Sequence, residues 1–532
     1  MRPHAVTSLL GAFAAVLLAG GALAAPPEPH PPHPVERGFP LLQAYVPTVE
    51  EAQPQNFGIA RDARGVLYAA NLGGVLTYDG AWWRAFPIGK ERSAFSVSVG
   101  AAGRVGVGGV DELGYLAPDA RGTLRYVSLL PLLPPAQRTL GQVHVHAVPG
   151  GFAFFVDRRL LLWDGTAMTT VATFPGGRPY PVGFPVGAAF YVWTREGGIS
   201  RLDGRRLLPV PGGERFRGRR VDALLPADSA GTGLLVSVRG EGLFRLAGGE
   251  VAPFAPEASR WSAANRVFAG CRLPDGRWAL GSILGGLLLL RPDGTVDQVI
   301  DTSVGLPGDF IYEMVVDREG ALWLALNNGL ARVEVASSLS VVDSRQGLKG
   351  SVYSMARHQG ALWVGTEAGF FTNSPNPGTA DAPAGAAERG PRMRAVPGLP
   401  PAGWSLLSAG DVLLGGTAFG LYSLRPGPPR LVAGTEQDTI FALTRSAADP
   451  ERVWLGTSRG LAAVRREGAG WRYEGKVVGV GGEVRNVVES RGVLWSSGPA
   501  GIVGFQVPPA GLAPARLQRV PGSDGSHLFR IG

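Results

Sequence analysis

His144 and His146 are the pair whose type and spacing best suit chemistry. Alternate residues of a strand project from one face, and two imidazoles on one face can share a metal ion. Two ligands fall short of a closed site, and no third histidine or carboxylate stands at a recognisable spacing, so a packed or solvated pair is the preferred reading. His30 and His33 lie among prolines and read as part of a solvated spacer. Asp62, Asp275, Asp317 and Glu319 are candidate acids or bases, but each occupies a turn position where capping of the backbone explains it. Cys271 is the only cysteine, which rules out an intramolecular disulfide and a cysteine-based zinc site. Its run, Val267-Phe268-Ala269-Gly270-Cys271, reads as a strand with a small buried thiol. There is no Gly-x4-Gly-Lys-Ser/Thr loop, no His-Glu-x2-His, no Gly-x-Ser-x-Gly and no kinase signature. No catalytic residue, metal ligand or cofactor is therefore assigned, and ligand-contacting residues remain unassigned.

The elements that carry these side chains must be short strands. The 532 residues are 45% hydrophobic and 18% charged, enough apolar side chain for packed cores throughout. The 79 glycines and 44 prolines follow no collagen period and point to many tight turns, hence an all-β protein. Net charge is +8, carried almost wholly by scattered arginine, since lysine occurs only at 90, 349 and 476. No basic stripe interleaved with aromatics stands out, so nucleic acid is not an expected partner.

A repeated unit organises the chain. Asp317-Arg318-Glu319-Gly320-Ala321-Leu322-Trp323 leads to Gly329-Leu330, Leu362-Trp363-Val364-Gly365-Thr366 to Gly369-Phe370, and Val453-Trp454-Leu455-Gly456-Thr457 to Gly460-Leu461. Asp275-Gly276-Arg277-Trp278 and Val493-Leu494-Trp495 read as further copies, Leu414 replaces the tryptophan in another, and Tyr68 marks a fainter one. From Trp278 to Trp495 the marks are 45, 40, 51, 40 and 41 residues apart, a propeller-blade period. Each unit reads as a hairpin turn followed by a strand with one face buried, and Tyr68, Trp278, Trp323, Trp363, Leu414, Trp454 and Trp495 are assigned to packing between blades. A lone blade cannot hide its faces, so neighbours must stack and close a ring. The expected fold is a β-propeller: one seven-bladed ring over 40–350, then a second, incomplete ring of about four blades over 351–532.

Residues 1–24 read as a signal peptide: Arg2, an apolar run, and Ala22-Leu23-Ala24 before Pro26-Pro27. The run also has the length of an uncleaved anchor, with cleavage the preferred outcome. Residues 25–39 read as a proline-rich linker, and 373–392 as a disordered excursion from one loop. Ser526–Ile531 reads as the opening strand of a twelfth unit, so the chain is expected to be a fragment.

Gln55-Asn56-Phe57-Gly58-Ile59, then Asp62, Gly65, Leu67-Tyr68-Ala69-Ala70-Asn71, Gly74-Val75-Leu76, Tyr78-Asp79-Gly80 and Trp83, resemble the opening blade of the two-component regulator propeller family. Gly109–Leu116 resembles its second blade, and Gly305-Leu306-Pro307 through Leu330 its general repeat, so the resemblance covers residues 40–532. It implies an exported, periplasmic sensor of bacterial signal transduction. In that family two seven-bladed rings precede a triple-tyrosine domain, a membrane helix and a cytoplasmic output, which is a kinase, a cyclase or a DNA-binding module. Those segments are expected downstream, and with them the membrane attachment. Gly108-Gly109-Val110-Asp111-Glu112 resembles the loop of diguanylate cyclases but carries an inserted valine inside a blade, and is read as chance. The expected function is non-catalytic sensing of a small molecule or glycan, with a homodimer as a compatible assembly. The alternatives are a propeller enzyme, either a polysaccharide lyase or a quinone-dependent dehydrogenase, and a static glycan- or protein-binding scaffold.

Overall fold

The computed structural model describes residues 37–523 other than 91, 102, 176–179, 375–392, 426, 508–510 and 515. The expected signal peptide, His30, His33, nearly all of the 373–392 excursion and the strand at 526–531 lie outside the described residues.

Among the described residues eleven antiparallel four-stranded sheets follow one another along the chain, all but one of them a simple meander. Seven of them, blades 1 to 7, have inner strands at Asn56–Arg61, Ala94–Val99, Val143–Val148, Val182–Val186, Val221–Pro226, Val267–Arg272 and Ile311–Val316. Each inner strand packs against the next, and the seventh packs back on the first, which closes a seven-bladed ring. Blade 7 takes three strands from 311–333 and its outer strand from Leu42–Tyr45, paired from Leu42 opposite Val333 to Tyr45 opposite Leu330. That strand removes the open edge that blade 7 would otherwise present. Four further sheets, blades 8 to 11, begin at Val352–His358, Gly403–Ala409, Ile440–Arg445 and Asn486–Ser490, and the first three of these inner strands each pack on the next. The protein is a β-propeller.

The second strand of a blade is buried on both faces, not one: Leu322–Leu326 and Arg452–Thr457 are buried at every residue. Where a blade has a neighbour on each side, both faces of its radial sheet are covered, which is why the strand reads as a continuous apolar run rather than an alternating one. The cores accordingly lie between blades. Tyr68 packs with Val97 and Val105 of blade 2, Trp323 with Ile59 and Leu67 of blade 1, Leu414 with Val453 of blade 10, and Trp454 with Val487 of blade 11. Trp363 and Trp495 are half-buried at the matching place in their blades.

Trp278 departs from this set. Tyr68 pairs with Ala60 and Trp323 with Val315, whereas the corresponding inner-strand residue of blade 6, Cys271, pairs with Ala279. Trp278 therefore sits one residue early. A one-residue offset along a strand turns a side chain to the opposite face. Trp278 packs on Leu235 and Leu243 of blade 5, while Ala279 faces Ile311 and Met314 of blade 7. The Gly-Arg-Trp of blade 6, set against the Gly-Ala-Leu-Trp of blade 7, is one residue shorter, and that missing residue is the signal the tryptophan marks concealed.

Candidate functional site

Eight of the eleven inner strands carry a β-bulge after their first residue. The bulged residue is Phe57, Phe95, Asp222, Phe268 and Tyr312 in blades 1, 2, 5, 6 and 7, and Tyr353, Trp404 and Phe441 in blades 8, 9 and 10. A bulge leaves one residue out of the ladder and re-aims its side chain. In every one of these blades but blade 5 it places an aromatic ring at the end of the central channel where the inner strands begin.

These rings touch across blade boundaries. Phe57 lies 4.5 Å from Phe95 and 5.1 Å, edge-on, from Tyr312. Tyr312 stacks on Phe310 at 4.0 Å and meets Phe268 at 6.1 Å, so one arc of the mouth, from blade 6 through 7 and 1 to 2, is an aromatic wall. Phe268 remains 37% exposed and offers its face to a ligand. In blades 8 to 10 the pattern repeats, with Tyr353 stacked on Trp404 at 4.4 Å and Phe441 edge-on at 5.5 Å.

Beneath the wall, Glu313 Oε2 accepts the Ile59 N–H at 3.1 Å across the seam between blades 7 and 1. Burial pushes the Glu313 carboxyl up to about 8, and the Ile59 bond only partly opposes it. Gly58 makes this fit possible, because a Cβ there would stand 2.8 Å from Glu313 Oε2.

The opposite arc is polar. Asp222 of blade 5 holds the bulge position and is gripped by Arg239 through both carboxylate oxygens at 2.8 Å, and by Arg220 Nε at 3.2 Å. Arg220 also donates to the Tyr180 carbonyl at 2.6 Å and lies 5.3 Å over the Trp193 ring. His144 and His146 do project from one face of Val143–Val148, with Val143 and Val145 buried on the other. His146 lies against Phe155 and Phe190, and burial pulls it down to about 3, so it stays neutral. His144 is open to water yet ringed by protein, and its pKa is lowered by burial and then by the Arg220 guanidinium. His144 is the second residue of its inner strand and Arg220 directly precedes the inner strand of blade 5, so both stand at the end of the channel where the inner strands begin. Among the described residues no three His, Cys, Asp or Glu side chains come together as a metal site.

The carboxylates singled out in the sequence lie elsewhere and are engaged in turns. Asp62 accepts from the Arg64 and Val66 amides, Asp275 from Arg277, and Asp317 from Glu319 and Ala321. Glu319 is a surface residue of the last turn. Asp111 likewise accepts the Leu140 and Gly141 amides, both at 2.6 Å, so the Gly108–Glu112 segment is a structural hairpin. Cys271 is partly buried, and burial pushes its thiol up to about 12, far from a reactive thiolate. A cavity of about 250 Å³ between the turns at 273–275 and 317–320 lies away from the aromatic mouth.

The sequence reading missed the aromatic wall and the arginines facing it. The signal was present as an apolar or small residue, an aromatic, then a small or polar one: Ala94-Phe95-Ser96, Val267-Phe268-Ala269, Ile311-Tyr312-Glu313, Gly403-Trp404-Ser405.

No protein-family model matches the chain, and no curated protein matches it. Among solved structures it is similar to a protein described as the extracellular domain of hybrid two-component system BT3049 from B. thetaiotaomicron. That match has a TM-score of 0.59 at 14% identity, over 91% of this chain and 74% of that one. A second such domain, of BT4673 from the same organism, aligns with a TM-score of 0.43 at 16% identity, over 88% of this chain and 66% of that one. Virginiamycin B lyase from Staphylococcus aureus aligns with a TM-score of 0.42 at 12% identity, over 55% of this chain and 98% of its own. At these identities what the chain shares with the BT3049 domain is its fold, a β-propeller spanning nearly the whole sequence.

Proposed function

We propose that this chain is the periplasmic, ligand-sensing propeller module of a bacterial signal-transduction receptor, with a small molecule or glycan bound at the aromatic mouth of the first ring. The single observation behind this reading is the bulge-borne wall of Phe57, Phe95, Phe268 and Tyr312. Four inner strands independently spend a backbone irregularity to bring rings to one opening, and a concave aromatic surface with few convergent polar groups is the usual form of a small-molecule site. The role is binding rather than turnover, because the polar groups at hand are already engaged: Glu313 by the Ile59 amide and Asp222 by two guanidiniums. Signalling follows if the ligand prefers one of two arrangements of the module, which the full receptor passes to its output. The fold shared with the BT3049 domain supports this role.

The test is a thermal-shift screen of the purified chain against saccharides and small organic acids, repeated with Phe95→Ala and Phe268→Ala. A ligand at a hundredfold excess over its Kd stabilises by about 2.7 kcal/mol, a rise of several degrees. The expected result is a rise that both variants lose while keeping their own unliganded melting temperature. A rise that survives in both overturns the site. Recovery of the expressed protein from the cytoplasm with residues 1–24 intact overturns the location.

A further inference from the structure

The connection from blade 4 to blade 5 reads Glu214-Arg215-Phe216-Arg217-Gly218-Arg219-Arg220, four arginines within six residues, and it ends where the inner strand of blade 5 begins. Phe216 is fully buried and its carbonyl accepts the Trp193 indole N–H at 2.9 Å, which fixes the loop at the mouth. Arg219 is balanced by Glu241 at 2.6 Å and lies over the rings of Phe216 and Phe244. Arg215 and Arg217 are exposed, and among the described residues neither forms an ion pair.

Arg220 is the informative member. Asp222 is its acidic partner, and Arg239 already takes both oxygens of that carboxylate. Two guanidiniums on one carboxylate leave one positive charge over, at a side chain only 22% exposed, where water compensates it poorly. Burial lowers the Arg220 pKa in spite of Asp222. The surplus charge disfavours a second cation nearby, and the His144 pKa is lowered by burial and then by the Arg220 guanidinium. Asp222 occupies in blade 5 the position that Phe268 occupies in blade 6, so this surplus charge adjoins the aromatic wall.

We propose that the ligand of this mouth is an anion: an organic molecule with a flat ring face for Phe57, Phe95, Phe268 and Tyr312 and a carboxylate or sulfate for Arg220. The assignment rests on the mouth being the ligand site. Arg220 supplies a planar donor fork suited to such a group, and Arg215 and Arg217 draw the anion toward the opening. Two sources share this chemistry, acidic saccharides and aromatic carboxylates.

Calorimetric titration of the purified chain separates them. The panel contains oligogalacturonate, alginate oligomers, sulfated glycosaminoglycan disaccharides and hydroxycinnamates, with neutral oligosaccharides and methyl esters as matched controls. At least one acid is expected to bind, at least about tenfold more tightly than its neutral match, as expected for a charge-assisted contact of about 1.4 kcal/mol or more. Arg220→Gln is expected to erase that preference and Arg220→Lys to retain part of it. The double variant Arg215→Gln/Arg217→Gln is expected to weaken binding at low salt but not at 1 M, where screening acts within about 3 Å. The unliganded melting temperature of each variant reports that it folds. Equal binding of acid and neutral match, or an acid preference that Arg220→Gln leaves intact, overturns the anion assignment while keeping the mouth as a ligand site. Binding by no member of the panel, acidic or neutral, overturns both.

Discussion

Glu313 and His146 keep their neutral forms for the same reason, burial near the channel, but they pull stability in opposite directions with pH. The Glu313 pKa is raised in the fold to about 8, so its contribution is fully present below the ordinary carboxyl value of about 4.5 and is lost as pH rises through 8. The His146 pKa is lowered to about 3, so its contribution is present above about 6.5 and is lost as pH falls toward 3. Urea denaturation from pH 4 to 9 should show Glu313→Gln abolishing the alkaline decline while leaving the acid limb unchanged. A decline that persists between pH 5 and 8 in the Gln variant would show that this carboxyl is not its source. At this scale the sequence was partly readable. The shared face of His144 and His146 follows from strand alternation alone, but the packing of His146 on Phe190 and the effect of Arg220 on His144 come from other blades and leave no local trace.

Elements were legible through their period and misleading through their register. Tryptophan spacing found the blades, yet a one-residue difference in the turn before Trp278 sends that ring toward blade 5 while its apparent equivalents face the next blade. A double-mutant cycle distinguishes the two placements. Trp278→Ala should couple to Leu243→Ala by at least about 0.5 kcal/mol and be additive with Met314→Ala, a residue of blade 7 that packs against the other face of blade 6. Trp454, fully buried with its indole N–H 3.2 Å from Glu489 of the next blade, should cost about 3–5 kcal/mol as Trp454→Ala in urea denaturation, far more than the half-buried Trp495. The bulges were illegible for a physical reason. A bulge shows itself only in how a strand pairs with its neighbour, whereas periodicity records each strand alone.

The first ring is held shut by Leu42–Tyr45, and the closure extends outward through Phe39 opposite Val341 and the Gly38 amide bonded to the Ser340 hydroxyl. Removing residues 37–46 should expose the edge of Leu330–Val333, lower the melting temperature of the first ring and produce higher-order species in size-exclusion chromatography. A truncated protein that stays monomeric with an unchanged melting temperature would show that the interblade cores alone secure the ring. The seven-unit count was readable from the repeats. The division of blade 7 between two distant segments was not, because Leu42-Gln43-Ala44-Tyr45 is too short and ordinary a strand to announce its partner.

That division also sets an order of events during synthesis. Gly38 and Ser340 are 302 residues apart in sequence, so the strand at Leu42–Tyr45 waits unpaired while six complete sheets emerge behind it. The late step of assembly is then a capture reaction with a large loop-closure entropy, and its rate should report on the availability of the waiting strand rather than on how quickly any hairpin forms.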